Sequence, residues 1–381
     1  MLLYTLRKMT TTSLNLALVM LAALTTIASA QPQRRQVETN PWPDPDPAPW
    51  LTVSAGDSGF DLDRLEQAAS LAETTHADAL LVIRHGRIVL ERYWNGRKPT
   101  DVQQTYSTTK GAVAFLVGRV LERGHIESLD QSIANFVPEI AGQTRENMTF
   151  RNVMAMQSGL AQWPALDRAD RQSGRSQLEA VGARGMTHQP FQYFIYSSTA
   201  YRLLFTALER ATGMNLPDLS RKEIFGPLGM TGAYWVEIHS QDRFLGYQSI
   251  RMRPRDMAKL GQVLLNNGHW KGSQYLPTGY MQLLRTAPAP KINPSYGLFW
   301  HLNSGEFYLS YRESNYRRNR LLPGSPPDTI VNFGNGGQII AIVPSLDLVW
   351  TRTGRQIPSN IWSNSSTVAQ LSAAIIRAVD H

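Results

Sequence analysis

The sequence predicts an α/β fold of the α+β type, with an antiparallel sheet flanked by helices plus an inserted, mostly helical domain. Strand-like runs lie near both ends of the chain, at 79–94 and 338–352. Helical signals with long loops fill the region from Ile126 to about Arg285. Because strands of one domain tend to pair, we expect the two strand-rich ends to meet in one sheet.

Residues 1–30 have the three-part pattern of a secretory signal peptide. Arg7 and Lys8 supply positive charge, 14–27 is largely apolar, and Ala28-Ser29-Ala30 is a small-residue cleavage site. The apolar run is shorter than the roughly 20 residues that span a bilayer. We therefore expect cleavage after Ala30, a secreted or periplasmic protein, and no stable membrane insertion afterwards. An uncleaved N-terminal anchor is the alternative.

Domain boundaries follow from composition. Prolines at every second position from Pro41 to Pro49 cannot build a core and indicate an extended spacer. The predicted units are a signal peptide at 1–30, a proline-rich linker at 31–54 and one domain at 55–381, divided into a sheet subdomain (55–105 and 286–381) and a helical subdomain (106–285).

Composition excludes several classes of protein. The chain of 381 residues has no cysteine, so disulfides, cysteine nucleophiles and thiolate metal sites are ruled out. Neither a His-Glu-x-x-His motif nor a nucleotide-binding loop is present, and we predict no metal and no cofactor. The net charge of +8 is scattered, and its densest cluster, 311–320, lacks a nucleic-acid-binding motif. We predict no nucleic-acid partner, and the sequence carries no signal for an oligomeric state.

Local patterns predict the elements in order. Leucine and alanine at helical spacing predict a helix over 61–72, and two β-rich runs around His85-Gly86 predict a hairpin over 79–94. The later helices are predicted at 107–123, 150–156, 198–211, 254–266, 276–286 and 365–379. The later strands are predicted at 296–300, 338–343 and 346–352.

Ser107 and Lys110 form a Ser-x-x-Lys motif at the start of a long apolar helix. Residues three apart share one helix face, so the hydroxyl and the amine should be neighbours. Burial lowers the pKa of a lysine, and a neutral amine beside a hydroxyl is a general base beside a nucleophile. The alternative is an ordinary helix start, with Ser107 as N-cap and Lys110 solvated.

Two further stretches accompany this motif: Tyr196-Ser197-Ser198 before a helix, and Asn335-Gly336-Gly337-Gln338 at the start of a strand. With these three blocks in order, the chain resembles the serine β-lactamase and penicillin-binding superfamily, which has the β-lactamase/transpeptidase fold. It is most similar to the class C-related branch of esterases, D-peptidases and amide hydrolases. The form of the glycine-rich block most resembles that of 6-aminohexanoate-dimer hydrolase-like members.

The resemblance implies roles for these residues. Ser107 would be the acylated nucleophile, Lys110 would take its proton, and Tyr196 would pass a proton to the leaving group and help to activate the deacylating water. The backbone N–H groups of Ser107 and Gln338 would form the oxyanion hole. Substrate-binding positions would be Asn335, Gly336, Gly337 and Ser198.

Two departures from the family pattern bear on the substrate. Ser198 stands where β-lactamases have an asparagine, and Asn335 stands where they have a lysine or histidine. Both changes remove polar groups that bind penicillin-like ligands, which favours a small ester or amide as substrate. A β-lactamase and a non-hydrolytic penicillin-binding sensor module are the alternatives. The aromatic residues Trp163, Tyr193, Phe194 and Trp300 suggest an apolar-walled pocket.

Overall fold

The computed structural model describes residues 34–38, 50–142, 145–310, 316–355 and 366–380. The predicted signal peptide and most of the predicted linker lie outside the described residues, as does the 311–315 part of the basic cluster. No helix in the described ranges combines the length and the apolar character needed to cross a bilayer.

A six-stranded antiparallel sheet joins the beginning of the chain to its end, as predicted. Its order is β3-β2-β14-β13-β12-β9. Its strands are β2 (Ala77–Arg84), β3 (Arg87–Tyr93), β9 (His301–Leu302), β12 (Ile330–Gly334), β13 (Gln338–Val343) and β14 (Leu348–Gly354). The central pairing of β14 with β2 runs from Leu348 opposite Arg84 to Gly354 opposite Ala77, which confirms that the two strand-rich ends meet.

Helices cover both faces of this sheet. The helices of the described residues are α1 (Leu62–Thr74), α2 (Thr109–Glu122), α3 (Phe150–Met154), α4 (Pro164–Gln172), α5 (Gln177–Gly182), α6 (Ser198–Thr212), α7 (Leu216–Ser220), α8 (Pro254–Leu265), α9 (Thr278–Leu284) and α10 (Thr367–Arg377). Of these, α1 and α10 cover one face of the sheet, and α2 and α8 cover the other. Successive residues of β2 point to opposite faces. Leu81 and Ile83 belong to the core shared with α2 and α8, whereas Leu80 and Val82 belong to the core shared with α1 and α10.

A second sheet is built around a hairpin from the middle of the chain, where only helices and loops are predicted, and includes one strand from the predicted linker. It has the order β1-β5-β6-β4 and contains β1 (Arg34–Glu38), β4 (Gln103–Gln104), β5 (Tyr234–Ser240) and β6 (Arg243–Met252). The hairpin of β5 and β6 escapes a pattern search because polar residues and Gly246 interrupt its apolar alternation. Burial of this hairpin against the helical region stabilises it despite this weak local signal.

Two further elements differ from the prediction. The prediction of a strand at 296–300 is wrong, because these residues form a buried loop. Phe299 has a φ of 65°, a left-handed conformation that is incompatible with an extended strand. The strand begins only at His301. Its neighbour β12 was not predicted, although every residue of it is buried. The described residues also form two short antiparallel strand pairs. One is β7 (His269–Trp270) with β8 (Ser273–Gln274), and the other is β10 (Tyr308–Leu309) with β11 (Tyr316–Arg317).

Candidate active site

Ser107 lies in a 3₁₀ turn, Tyr106–Thr108, directly before α2. This turn is held against β6 by two threonines. Thr105 donates through its backbone N–H (3.1 Å) and its Oγ1 (2.7 Å) to the carbonyl of Ile250, and the N–H of Ile250 donates to Thr109 Oγ1 at 3.0 Å. The hairpin that local patterns failed to predict therefore fixes the position of the turn that carries Ser107.

The residue before Ser107 has an unusual backbone conformation. Tyr106 has a φ of 48°, in the left-handed region that non-glycine residues seldom adopt. Such strain persists only where the surroundings enforce it, and it is concentrated at functional sites. The hydroxyl of Ser107 stays partly accessible, whereas Thr108 and Thr109 are buried.

Lys110 reaches back from the first turn of α2 to Ser107, with Nζ 3.3 Å from Oγ. The lysine side chain is buried, with 3% of its surface exposed. Burial, together with the positive charge of Arg202, lowers the pKa of Lys110 from its usual 10.5 to about 7. A large fraction of the amine is therefore neutral near pH 7 and able to accept a proton.

The ordinary helix-start alternative does not fit this geometry. The N-cap of α2 is Thr108, and its side chain makes no capping hydrogen bond. Ser107 therefore does not cap the helix, and Lys110 is not a solvated first-turn residue.

Two tyrosines enclose the amine of Lys110. Its Nζ lies 4.8 Å from the ring centroid of Tyr196 and 4.3 Å from that of Tyr201. Tyr196 precedes α6, whose N-cap Ser197 accepts a hydrogen bond from the N–H of Ala200. Tyr201 follows one turn later on the same helix, and burial raises the pKa of its phenol. The Tyr196-Ser197-Ser198 motif thus lies directly against the Ser107–Lys110 motif.

The glycine-rich block forms the turn between β12 and β13. Gly336 and Gly337 have φ values of 75° and 83°, which favour glycine, and the N–H of Gly337 donates to the carbonyl of Gly334 at 3.2 Å. Gly334 also lies against the turn that carries Ser107: a Cβ at this position would be 2.3 Å from the carbonyl oxygen of Thr105. Only glycine allows this close approach.

The two peptides that flank Gln338 are both held by hydrogen bonds. The carbonyl of Gln338 accepts a hydrogen bond from Thr108 Oγ1 at 3.2 Å. Because the N–H and C=O of one strand residue point to the same edge, the N–H of Gln338 faces the turn that carries Ser107. On the opposite side, the buried guanidinium of Arg352 donates to the carbonyl of Gly337 at 2.7 Å.

An open cleft of about 450 Å³, a volume that includes open solvent, contains Ser107 and Lys110. Its lining comprises Tyr106, Ser107, Lys110, Ser198, Tyr201, Arg202, Gln248, Ser249 and Asn335. Of the eight predicted positions, Ser107, Lys110, Ser198 and Asn335 line the cleft. Tyr196, Gly336, Gly337 and Gln338 are not among the lining residues: the ring of Tyr196 packs against Lys110, and the other three directly follow Asn335 in the chain. In the described ranges, no group of three or more acidic or histidine side chains could hold a metal ion.

The prediction of an apolar pocket wall formed by four aromatic residues is wrong. Phe194 and Trp300 are buried in the core, and Trp163 and Tyr193 are exposed; none of the four lines the cleft. The wall is instead mainly polar. Trp300 packs against α2, where a Cβ at Gly111 would be 2.9 Å from its ring.

Several cleft residues escaped prediction. Arg202 lies four residues after Ser198 on a predicted helix, so helical periodicity alone could have placed both on one face. Gln248 and Ser249 belong to β6. Because β6 was not predicted, no local signal connected these two residues to the site.

Comparison with known proteins supports the superfamily predicted from the three motifs. The family model described as Beta-lactamase matches residues 62–353, more than half of the chain. A protein of Escherichia coli strain K12, provisionally named D-alanyl-D-alanine carboxypeptidase, is 22% identical over 332 residues, which cover 67% of this chain and 76% of that protein. A D-aminopeptidase of Cereibacter sphaeroides strain KD131 is 28% identical over 207 residues, covering 50% of this chain and 40% of that protein.

Solved structures show the same fold. A protein of Bacillus anthracis, provisionally named 6-aminohexanoate-dimer hydrolase, superposes with a TM-score of 0.66 at 19% identity, covering 94% of this chain and 92% of that one. A family VIII carboxylesterase superposes with a TM-score of 0.58 at 16% identity, covering 84% of this chain and 99% of that one. With the match of the family model, the chain belongs to the Beta-lactamase family and is a serine hydrolase of the β-lactamase and penicillin-binding superfamily.

Proposed function

We propose that this protein hydrolyses a small ester or amide through an acyl-enzyme on Ser107, as a member of the class C-related branch. The contact that carries the proposal is the 3.3 Å distance from Lys110 Nζ to Ser107 Oγ, made by a lysine that is buried. A nucleophile and a base within hydrogen-bonding distance are the elementary requirement of this chemistry. The carboxypeptidase, aminopeptidase and carboxylesterase named among the relatives are all ester or amide hydrolases.

Acylation begins with proton transfer. The neutral amine of Lys110 takes the proton of the Ser107 hydroxyl while Oγ forms a bond to the substrate carbonyl carbon. The negative charge that develops on the carbonyl oxygen is stabilised by the backbone N–H groups of Ser107 and Gln338. Losing one such donor typically lowers the rate roughly 10²- to 10³-fold. Arg352 holds the Gly337–Gln338 peptide in the required orientation through the carbonyl of Gly337.

Collapse of the tetrahedral intermediate breaks the bond to the leaving group. Tyr196, whose ring packs against the amine of Lys110, passes a proton to the leaving oxygen or nitrogen. Lys110 then passes the proton that it took from Ser107 to Tyr196, which restores both groups. In the second half-reaction this pair takes a proton from the attacking water as the water oxygen bonds to the acyl carbon. The pair returns that proton to Ser107 Oγ as the serine ester bond breaks and the acid is released.

The cleft supports a linear substrate better than a penicillin. Ser198 and Asn335, which both line the cleft, are the two positions where the family pattern for β-lactam binding is changed. We therefore propose that β-lactams are poor substrates, and that hydrolysis of nitrocefin is slow relative to that of an activated ester.

The Ser107→Ala variant tests the proposal. We expect turnover of p-nitrophenyl acetate to fall by at least about 10³-fold, because the nucleophile is lost. A fluorophosphonate probe should add its mass to Ser107 of the wild type and leave Ser107→Ala unlabelled. Exposed Ser70→Ala serves as the matched control and should retain full activity and labelling.

Two outcomes would contradict the proposal. Wild-type turnover by Ser107→Ala would exclude Ser107 as the nucleophile. A stoichiometric burst of p-nitrophenol without later turnover would show that the protein acylates and stalls, as a penicillin-binding sensor module does.

A further inference from the structure

The active-site cleft carries a fixed positive charge that the three motifs do not include. Arg202 lies on α6, one turn after Ser198, and lines the same cleft as Ser107 and Lys110. Residues four apart on a helix lie on one face, so Ser198 and Arg202 border the cleft side by side. Arg202 is half-buried, which limits the screening of its charge by water.

Among the described residues, none that lines the rest of the cleft is acidic. Of the nine lining residues, only Lys110 and Arg202 are basic; the others are hydroxyl, phenol or amide side chains. A guanidinium stays protonated under all ordinary conditions, whereas the amine of Lys110 is partly neutral near pH 7. The cleft therefore keeps a positive charge while the general base is neutral.

Arg202 acts on the reactive centre through space. Its charge is one of the two influences that lower the pKa of Lys110, after burial. The guanidinium is consequently close enough to the amine for their charges to interact. Any substrate group that binds Arg202 is near the bond that Ser107 attacks.

We propose that Arg202 binds a carboxylate of the substrate, so that this hydrolase prefers small esters or amides that carry a free carboxylate close to the scissile bond. This inference rests on the proposed function and specifies its substrate class. The planar fork of a guanidinium matches a carboxylate with two parallel hydrogen bonds. Ser198, Gln248, Ser249 and Asn335 offer neutral hydrogen-bonding groups around it.

The same charge discriminates against another class of substrate. A substrate with a free ammonium group beside the scissile bond would bring two positive charges together in a half-buried cleft, where like charges repel strongly. We therefore infer that the protein prefers substrates with a carboxylate beside the scissile bond over substrates with an ammonium group there.

Matched substrate pairs test the inference. One pair is mono-p-nitrophenyl glutarate and its methyl ester, which differ by a carboxylate in the acyl part. The other is N-acetyl-D-alanyl-D-alanine and its C-terminal amide, which differ by a carboxylate in the leaving group. In at least one pair, we expect kcat/KM of the wild type to be about 10- to 100-fold higher for the substrate with the carboxylate. The pair that shows this preference tells whether Arg202 binds a carboxylate of the acyl part or of the leaving group.

Variants assign the preference to Arg202. Arg202→Gln should reduce the ratio of kcat/KM between the acid and its neutral partner to about 1, and Arg202→Lys should give an intermediate ratio. The ratio is the informative quantity because any change in Lys110 affects both substrates of a pair equally. Arg210→Gln is the control: it removes the same charge from the same helix, but Arg210 pairs with Glu139 at the surface, and the ratio should not change.

Two results would overturn the inference. One is a wild-type ratio at or below 1 in both pairs while hydrolysis of the neutral ester still depends on Ser107; this result leaves the proposed hydrolase intact and refutes only the role of Arg202. The other is an unchanged ratio in Arg202→Gln. Faster turnover of D-alanine p-nitroanilide than of its N-acetyl derivative would likewise contradict it, and this comparison needs no variant.

Discussion

Lys110 and Lys259 show how the surroundings decide what a buried lysine does. Both are almost inaccessible, with 3% and 0% of their surfaces exposed. Lys259 Nζ lies 3.6 Å from Asp256 and donates a hydrogen bond to the carbonyl of Gly229, so its charge is compensated. Lys110 instead faces a hydroxyl, two aromatic rings and the positive charge of Arg202. A structural ion pair and a candidate base therefore arise from the same residue type.

The pKa of Lys110 predicts the pH dependence of activity. Only the neutral amine accepts the proton of Ser107, so kcat/KM for p-nitrophenyl acetate should fall about tenfold per pH unit well below pH 7 and level off above it. The profile is measured between pH 5 and 9 with correction for p-nitrophenol ionisation and for spontaneous hydrolysis.

Arg202→Gln tests the origin of this pH profile. Removal of a positive charge that disfavours the protonated amine should raise the pKa of Lys110 and move the acidic limb to higher pH. Arg210→Gln, on the surface of the same helix, should leave the limb in place. A profile that is flat between pH 5.5 and about 8 would show that Lys110 is not the titrating base.

At the scale of elements, the site lies where four separate segments meet: the Ser107 turn with α2, the start of α6, β6 and the β12–β13 turn. The turn that carries Ser107 contacts β6 through Ile250 and contacts the β12–β13 turn through Thr108 and Gln338. The position of each candidate catalytic group therefore depends on close packing between backbones. Gly334 is the tightest point of this packing.

Replacement of Gly334 tests this packing. In Gly334→Ala the added methyl group would lie 2.3 Å from the carbonyl oxygen of Thr105, and the strand would have to move away from the Ser107 turn. We expect kcat/KM to fall at least about 100-fold, because misplacement by about 1 Å already has effects of this size. Overpacking should also lower the free energy of unfolding by about 1–3 kcal/mol in urea titrations.

Gly279 provides the control for this substitution. It lies in α9, with no heavy atom within 4 Å of an added Cβ. Gly279→Ala should therefore keep wild-type kcat/KM and raise helix stability by up to about 1 kcal/mol. Wild-type activity in Gly334→Ala would contradict the proposed geometry.

At the scale of the whole molecule, the sheet makes the two ends of the chain depend on each other. β14 pairs with β2 across the centre of the sheet, and α1 packs with α10 over one face. Such pairing requires closure of a long loop, whose entropy cost grows only slowly with its length. The middle of the chain carries the β5–β6 hairpin, the loop that contains Tyr196 and the helix that contains Arg202.

The N-terminal pattern leads to a prediction about the whole chain. Expressed in a Gram-negative host, the protein should appear in the periplasmic fraction with an intact mass that begins at Gln31, because Ala28-Ser29-Ala30 is a small-residue cleavage site. Ala30→Tyr should retain residues 1–30 and keep the chain with the membrane fraction. A full-length mass for the wild type in the membrane fraction would instead identify an uncleaved anchor.

Sequence by itself determined the fold class, because the three motifs and the strand-rich ends are local patterns that occur in a fixed order. It also indicated the candidates Ser107, Lys110 and Tyr196, since each lies in a short motif that is recognisable without the structure.

Tertiary structure alone decided the rest. The β5–β6 hairpin has a weak local pattern and is stabilised by burial against distant helices, so Gln248 and Ser249 were invisible in the sequence. Phe194 and Trp300 were expected at the cleft and lie in the core, because residue type does not reveal which face an aromatic side chain occupies. The charge of Arg202 lowers the pKa of Lys110 only because packing between separate segments brings the two side chains to the same cleft.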